Sequence, residues 1–315
     1  MKPLTQHTFK NLGLAGKKLP LTTVPPTTPI RVALETLAER SIIHLAVQSH
    51  SDAARVYAVV GILDLVAYVC RRAAAETQLD ARAPLLDDPV EQVLTLDADD
   101  ESYTVFERDI GDTLEETLRA FSHGVHRALV TDITKTTPAF LLGQADVLKY
   151  ILATSGAAAG DAAPAFAVPL STPLRDALPG RFTAAVSTVP HTATALAALT
   201  QLARRGTPAA PVVDAAGRVV AVVSAKDLRR ITGNTIASLH DPVTAFLAAH
   251  ASAGVQPCVV ARDAQVSVLD AVRMLVDRRV HHLWIVDADM KPVGVVSHSD
   301  IIACVSGNLE KPAGH

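Results

Sequence analysis

Aromatic residues make up only 4% of this 315-residue chain, and no dense basic run interrupts it. Nucleic-acid binders stack bases on aromatic faces and track the phosphate backbone with clustered Lys and Arg. Both resources are scarce here, and the net charge is −3. Cysteine is scarcer still. Cys70, Cys258 and Cys304 are odd in number, far apart and without a C-x-x-C pair, so they are expected to be reduced packing residues of an intracellular protein. No apolar run approaches the ~20 residues of a membrane-crossing helix. Acids are missing from the first 34 residues, which carry Lys2, Lys10, Lys17 and Lys18. The arginines of a transit segment are also missing before Arg31, so residues 1–21 are expected to form a short disordered arm.

What the chain does have is apolar content, 49% against 19% charged, enough for a sizeable core over about two domains. It also has repeats. "TPAAPVVDAAGRVVAVVSAKDLRRI" returns as "VHHLWIVDADMKPVGVVSHSDIIACV" 73 residues later, with Ser224 and Asp227 matched to Ser297 and Asp300. Leu196 and Leu269 each precede that serine by 28 residues, and Asp214 and Asp287 each precede it by 10. Such offsets without a gap mark two copies of one supersecondary unit.

Fainter copies fill the first half. In "DTLEETLRAFSHGVHRALVTD", Leu114, Leu118 and Phe121 keep helical spacing, and His126 and Arg127 lead into a strand. "PAFLLG" then runs into "QADVLKYI", which places Asp146 with Asp227 and Asp300. In the first copy Ile30, Ala33, Leu34 and Leu37 share a helix face, and "YAVVGILDLVAYV" follows a longer loop. Asp64 is expected in the serine's place there, and Ala67 in the aspartate's. Each unit reads strand, helix, strand, turn, strand, helix, an α/β organisation of α+β units with short Val/Ile-rich buried strands. One unit cannot bury its helix faces alone, so the units pair. The Ala/Gly/Pro-rich stretch near the midpoint is the expected domain boundary. This divides the chain into an arm (1–21), a first module (22–153, motifs near 22–72 and 102–153), a linker (154–182), a second module (183–306, motifs near 183–233 and 255–306) and a tail (307–315).

S-x-x-D before an apolar helix is a capping box, which needs no ligand to explain it. The same helix N-terminus, with its open N–H groups and positive dipole end, also suits an anion. His126-Arg127 and His281-His282 lie at matching points before their strands, and a histidine there also complements a helix C-terminus. Enzyme signatures are weak. "GLAGKK" lacks P-loop spacing, His123-x-x-His126 lacks a third metal ligand, and no G-x-S-x-G or Cys/His signature is present.

The four units resemble CBS motifs, first defined in cystathionine beta-synthase. "GVVSHSDII" and "AVVSAKDLR" carry the family's G-h-h-S-x-x-D-h ending. Four such motifs with "VHHLWIVD", "VHRALVTD", "DVLKYI" and "DPVTAFLAAH" are similar to the gamma-subunit family of AMP-activated protein kinases, over roughly residues 20–306. The resemblance implies two tandem CBS modules in a pseudo-symmetric disc. It implies adenine-nucleotide ligands (AMP, ADP or ATP) bound without hydrolysis, with no cofactor required and no nucleic-acid or membrane partner. Partners would be a kinase catalytic subunit and a bridging scaffold subunit, in the cytoplasm and/or nucleus. Asp227, Asp300 and Asp146 would hold ribose, and Ser224 and Ser297 would sit beside phosphate. His126, Arg127, His281, His282 and Lys149 would contact phosphates, and Thr188 would line an adenine. In this register the first copy lacks a ribose carboxylate. The alternative is a four-CBS scaffold that works through protein interaction, with no or a different adenosyl ligand.

Overall fold

The computed structural model describes residues 2–14, 17–18, 21–74, 83–95, 105–155, 164–183, 185–250, 259–261 and 265–308. Four three-stranded sheets repeat one plan, each having its first two strands parallel and its last two antiparallel. The first motif comprises β1 (Thr23–Val24), α1 (Ile30–Glu39), β2 (His44–Gln48), β3 (Val56–Gly61) and α2 (Ile62–Ala73). The second has β4 (Glu107–Asp109), α3 (Glu115–Ser122), β5 (Arg127–Thr131), β6 (Phe140–Gly143) and α4 (Gln144–Thr154). A four-residue helix, α5 (Leu174–Ala177), and a 3-10 turn over Pro179–Phe182 precede the third motif. That motif contains β7 (Val189–Pro190), α6 (Ala195–Arg204), β8 (Ala209–Val213), β9 (Val219–Ser224) and a 3-10 helix over Ala225–Arg230. After Pro242 comes α7 (Val243–His250). Last come β10 (Val259–Ala261), α8 (Val268–Asp277), β11 (His282–Val286), β12 (Pro292–Ser297) and α9 (His298–Ser306).

These motifs do not group in chain order. Met1–Leu21, Phe106–Val186 and Cys258–His315 form one compact unit, and Thr22–Val105 with Ser187–Pro257 form another. The first unit therefore joins motifs two and four, where α3 packs on α9 and α4 on α8. The second unit joins motifs one and three through α2 against α6 and the 225–230 helix. The expected midpoint boundary thus separates no compact units: Leu174, Leu178 and Phe182 of the linker are buried in the core of the first unit. Periodicity shows which helix face is covered; it does not name the partner that covers it.

A second departure is the N-terminal arm. It was expected to be disordered, yet Leu4, Phe9 and Leu12 are buried in the core of the first unit. The His7 ring Nδ1 lies 2.8 Å from the Tyr150 hydroxyl. Two short turns, Leu4–Gln6 and Phe9–Leu12, put three apolar residues on one side of a segment too short to show a period. Cys70 and Cys304 are buried, and burial pushes both thiols up to about 11, which keeps them protonated and inert. Cys258 lies outside the described residues.

Each first helix of a motif ends in a left-handed residue three positions before the next strand: Ser41 (φ 54°), Gly124 (φ 101°), Gly206 (φ 61°) and Arg279 (φ 53°). The chain must reverse there at a fixed point, and only glycine does so without a Cβ penalty. Ser41→Gly should therefore raise stability by about 0.5 kcal/mol, and Gly206→Ala should lower it by about 1 kcal/mol. Urea denaturation of both variants measures this. A pH effect follows from His7, whose imidazole burial pushes below its ordinary 6.5, outweighing a hydrogen bond to the Lys2 backbone. The docked ring is neutral and the undocked ring takes a proton more readily. Docking is therefore complete above about pH 6.5 and weakens as pH falls through the lower docked value. Hydrogen exchange at Leu4–Leu12 should accelerate over that window, and His7→Gln should flatten the response.

Candidate functional site

The turn from the last strand into the last helix of each motif is built the same way four times. The strand's final residue is the helix N-cap, and an aspartate three residues on accepts its N–H. The distances are 2.6 Å for Gly61 to Asp64, 2.8 Å for Gly143 to Asp146, 2.8 Å for Ser224 to Asp227 and 2.7 Å for Ser297 to Asp300. Asp64 is therefore the counterpart of the other three aspartates, and the expected register, which put Asp64 in the serine's place and Ala67 in the aspartate's, is three residues off. "GILD" and "GQAD" share the G-x-x-D spacing that would have shown it. The serine was sought as the anchor, but the carboxylate and the cap N–H are what the turn requires.

Directly across the antiparallel pair, the cap residue faces the first residue of the preceding strand. The pairs are His44 with Gly61, Arg127 with Gly143, Ala209 with Ser224, and His282 with Ser297. In motifs one and two, where His44 and Arg127 stand opposite, the cap is glycine, and the space explains why. A Cβ on Gly143 would lie 2.9 Å from Arg127 Nη1, and one on Gly61 would lie 3.1 Å from His44 Nε2. The strand-start side chain lies over the cap beside the carboxylate: the same Gly61 Cβ would be 3.2 Å from Asp64 Oδ2. Gly143 thus makes room for Arg127; it is not simply a serine that has been lost.

In motif four the cap is complete. Ser297 Oγ donates to Asp300 Oδ2 at 2.7 Å and accepts from the Asp300 N–H at 3.3 Å. Ser224 Oγ donates to Asp227 Oδ2 at 3.2 Å. A capping box alone is not a binding site, since Ser267 and Asp270 form one at the start of α8. What sets the four turns apart is that the cap residue ends a strand and, in three of them, an imidazole or guanidinium begins the strand opposite.

The first unit gathers Asp146, Arg127, His126, Ser297, Asp300, His281 and His282 at two such turns. Arg127 Nη1 donates to the His126 carbonyl at 2.6 Å. The His281 ring lies 4.6 Å from His298 between centroids, and His282 stacks on Trp284 at 5.5 Å. Lys149 is exposed one turn beyond Asp146 on α4. Ser224, Asp227 and Thr188 belong to the second unit. Thr188 stands just before β7 instead of on it, and its carbonyl accepts from Gln201 Nε2 at 3.0 Å. Among the described residues no group of three or more His, Cys, Asp or Glu side chains is placed to hold a metal.

The CBS domain model matches residues 182–233 and 259–307, motifs three and four. Over those two stretches the chain carries CBS domains. Motifs one and two repeat the same strand order and the same aspartate cap. No curated protein sequence matches the chain. Among solved structures it is similar to protein MJ1225 of Methanocaldococcus jannaschii, described as a proposed archaeal homolog of g-AMPK. The identity is 18%, the TM-score 0.67, and the match covers 92% of this chain and 98% of that one. That likeness establishes a shared fold. An uncharacterized conserved protein of Pyrococcus horikoshii matches at 14% identity and TM-score 0.48, over 96% of this chain and 98% of that one. A CBS domain protein of Pyrobaculum aerophilum, PAE2072, complexed with AMP, matches at 19% identity and TM-score 0.31, over 44% of this chain and 88% of that one. Neither of these two adds to the argument.

The opposition of Arg127 and the Gly143 Cβ position predicts coupling. A serine cap is worth a few tenths of a kcal/mol over glycine, but in the intact protein it must displace the guanidinium. Gly143→Ser should be neutral or destabilising with Arg127 present and stabilising in an Arg127→Ala background. The double-mutant cycle should give an interaction of about 0.5–1 kcal/mol.

Proposed function

We propose that the protein binds adenine nucleotides without hydrolysing them, as an energy-sensing regulatory subunit of the gamma type in a complex with a protein kinase and a bridging subunit. The observation that carries this reading is the fourfold placement of an aspartate at a helix start, where ribose hydroxyls can donate to the carboxylate and phosphate can meet the helix N–H groups. Asp146, Asp227 and Asp300 hold ribose in this reading, and the structural register adds Asp64. Ser224 and Ser297 stand beside phosphate. Arg127, His126, His281, His282 and Lys149 supply phosphate contacts in the first unit, and Thr188 lies near an adenine in the second. One observation favours the scaffold reading instead: every one of these carboxylates also has a structural task as a cap.

Calorimetry with AMP, ADP and ATP separates the two. Asp→Asn at 227 or 300 keeps an oxygen for the cap N–H but removes the charge that two hydroxyls would share. Hydrogen bonds to a charged group are worth roughly 1.5–3 kcal/mol, so each substitution should weaken one binding event about 10- to 100-fold. Asp64→Asn should also remove an event. A wild-type protein that gives no heat and no thermal shift with any adenosine compound favours the scaffold. Copurification with a kinase tests the partner.

A further inference from the structure

The two cap carboxylates of the first unit are each already met by a cation from outside their own motif. Lys18 Nζ lies 2.6 Å from Asp146 Oδ2, and Arg181 Nη2 lies 2.7 Å from Asp300 Oδ1. Both carboxylates are 9% exposed, and their partners are about one third exposed at 29% and 33%. Lys18 belongs to the N-terminal arm and Arg181 to the 179–182 turn of the linker. Both carriers are anchored independently of the ion pairs. A Cβ on Gly294 would come within 2.0 Å of the Arg181 carbonyl oxygen, so the linker backbone lies directly on β12. Phe182 beside it is buried, with the Arg175 guanidinium 5.8 Å from the ring centre. The arm is held by Leu4, Phe9 and Leu12 and by His7 against Tyr150, on the same helix that Asp146 begins.

At Asp300 the carboxylate is engaged on both oxygens. Oδ2 accepts the Ser297 N–H and hydroxyl, and Oδ1 accepts Arg181. A ribose diol that needs both oxygens competes with the guanidinium. At Asp146 the Lys18 ammonium and the cap N–H share Oδ2. We propose that Lys18 and Arg181 are resident counterions which the ribose of a bound nucleotide displaces, so that filling either site in the first unit releases the cation's side chain and loosens the backbone turn that carries it. Occupancy is thereby reported by segments outside the CBS motifs. The inference rests on the reading that Asp146 and Asp300 hold ribose.

Removing a resident counterion should strengthen binding, because the nucleotide no longer has to break the pair. The test titrates the full chain with AMP in wild-type, Arg181→Gln and Lys18→Gln forms. Each substitution should tighten one binding event by about fivefold, the equivalent of a partly exposed ion pair. An unchanged or weakened event in both variants overturns the proposal, since a cation that stays to contact phosphate would lose affinity when removed. Hydrogen exchange on the wild-type protein gives a second readout. The Lys17 and Lys18 amides, each 3.0 Å from the Leu14 carbonyl, and the Arg181 amide, 3.0 Å from the Leu178 carbonyl, should exchange faster with AMP bound. Slower or unchanged exchange in a protein that binds AMP overturns the proposal alone. A wild-type protein that binds no AMP sinks the ribose reading and this inference together.

Discussion

An aspartate carboxylate accepting the N–H of the residue that ends the preceding strand fixes every motif of this chain. Without that bond the strand would leave a donor unpaired just where the backbone turns into a helix. The carboxylate also lies at the positive end of the helix, where a negative charge is stabilising by about 0.3–1 kcal/mol. The cross-strand register then does the rest. Because the cap residue is the last of its strand, whatever begins the neighbouring strand must stand opposite it. Position, charge and the identity of the facing side chain are thus set by one short turn.

The same constraint explains which residues vary among the four copies. A glycine cap leaves room above it for the side chain opposite. Arg127 fills it in motif two and His44 in motif one, each over a glycine; Ser224 contributes its own side chain opposite the small Ala209. Motif four carries both a serine and His282, and there His282 stacks on Trp284, an arrangement compatible with a cap hydroxyl. The basic groups at these turns are accordingly unequal between the copies even though the carboxylate is common to all.

Much of this was legible in the sequence because it is periodic or repeated. The apolar stripes of α1 and α3 lie buried as their spacing requires, whereas Leu196 of α6 and Leu269 of α8 are only half-buried, and Asp214 and Asp287 end their strands by accepting backbone N–H groups two and four residues on. Motif one falls out of register when it is aligned on the hydroxyl, which is the replaceable part, whereas the carboxylate and its spacing to the cap are what the geometry preserves. The arm and linker were opaque for a different reason. Leu4, Phe9, Leu12 and Phe182 bury single residues from segments with no period, and Lys18 and Arg181 find their carboxylates only through tertiary folding. The grouping of motifs two and four was hidden too, since an apolar helix face matches any other of similar shape.

That grouping has a chemical consequence within the first unit. Gln144, the first residue of α4 after the Gly143 cap, is buried, and its Nε2 donates to the Phe121 and Val125 carbonyls and to Ser299 Oγ at 2.9 Å. Ser299 is the residue before Asp300. In motif four the position of Gln144 is taken by His298, whose Nε2 meets the Val280 carbonyl at 2.9 Å, the counterpart of Gln144 on Val125. The two carboxylate turns are therefore joined by a side-chain hydrogen bond, and each is tied back to the segment that carries its own histidine. A buried amide with satisfied donors holds its neighbours in one arrangement, because any displacement leaves a polar group unpaired at a cost of about 1–3 kcal/mol. A shift of the Asp300 turn that moves Ser299 must be answered at Gln144, and so at the turn of Asp146. The interleaved chain order makes this link possible: had motifs adjacent in sequence paired, the turns of Asp146 and Asp300 would belong to different units.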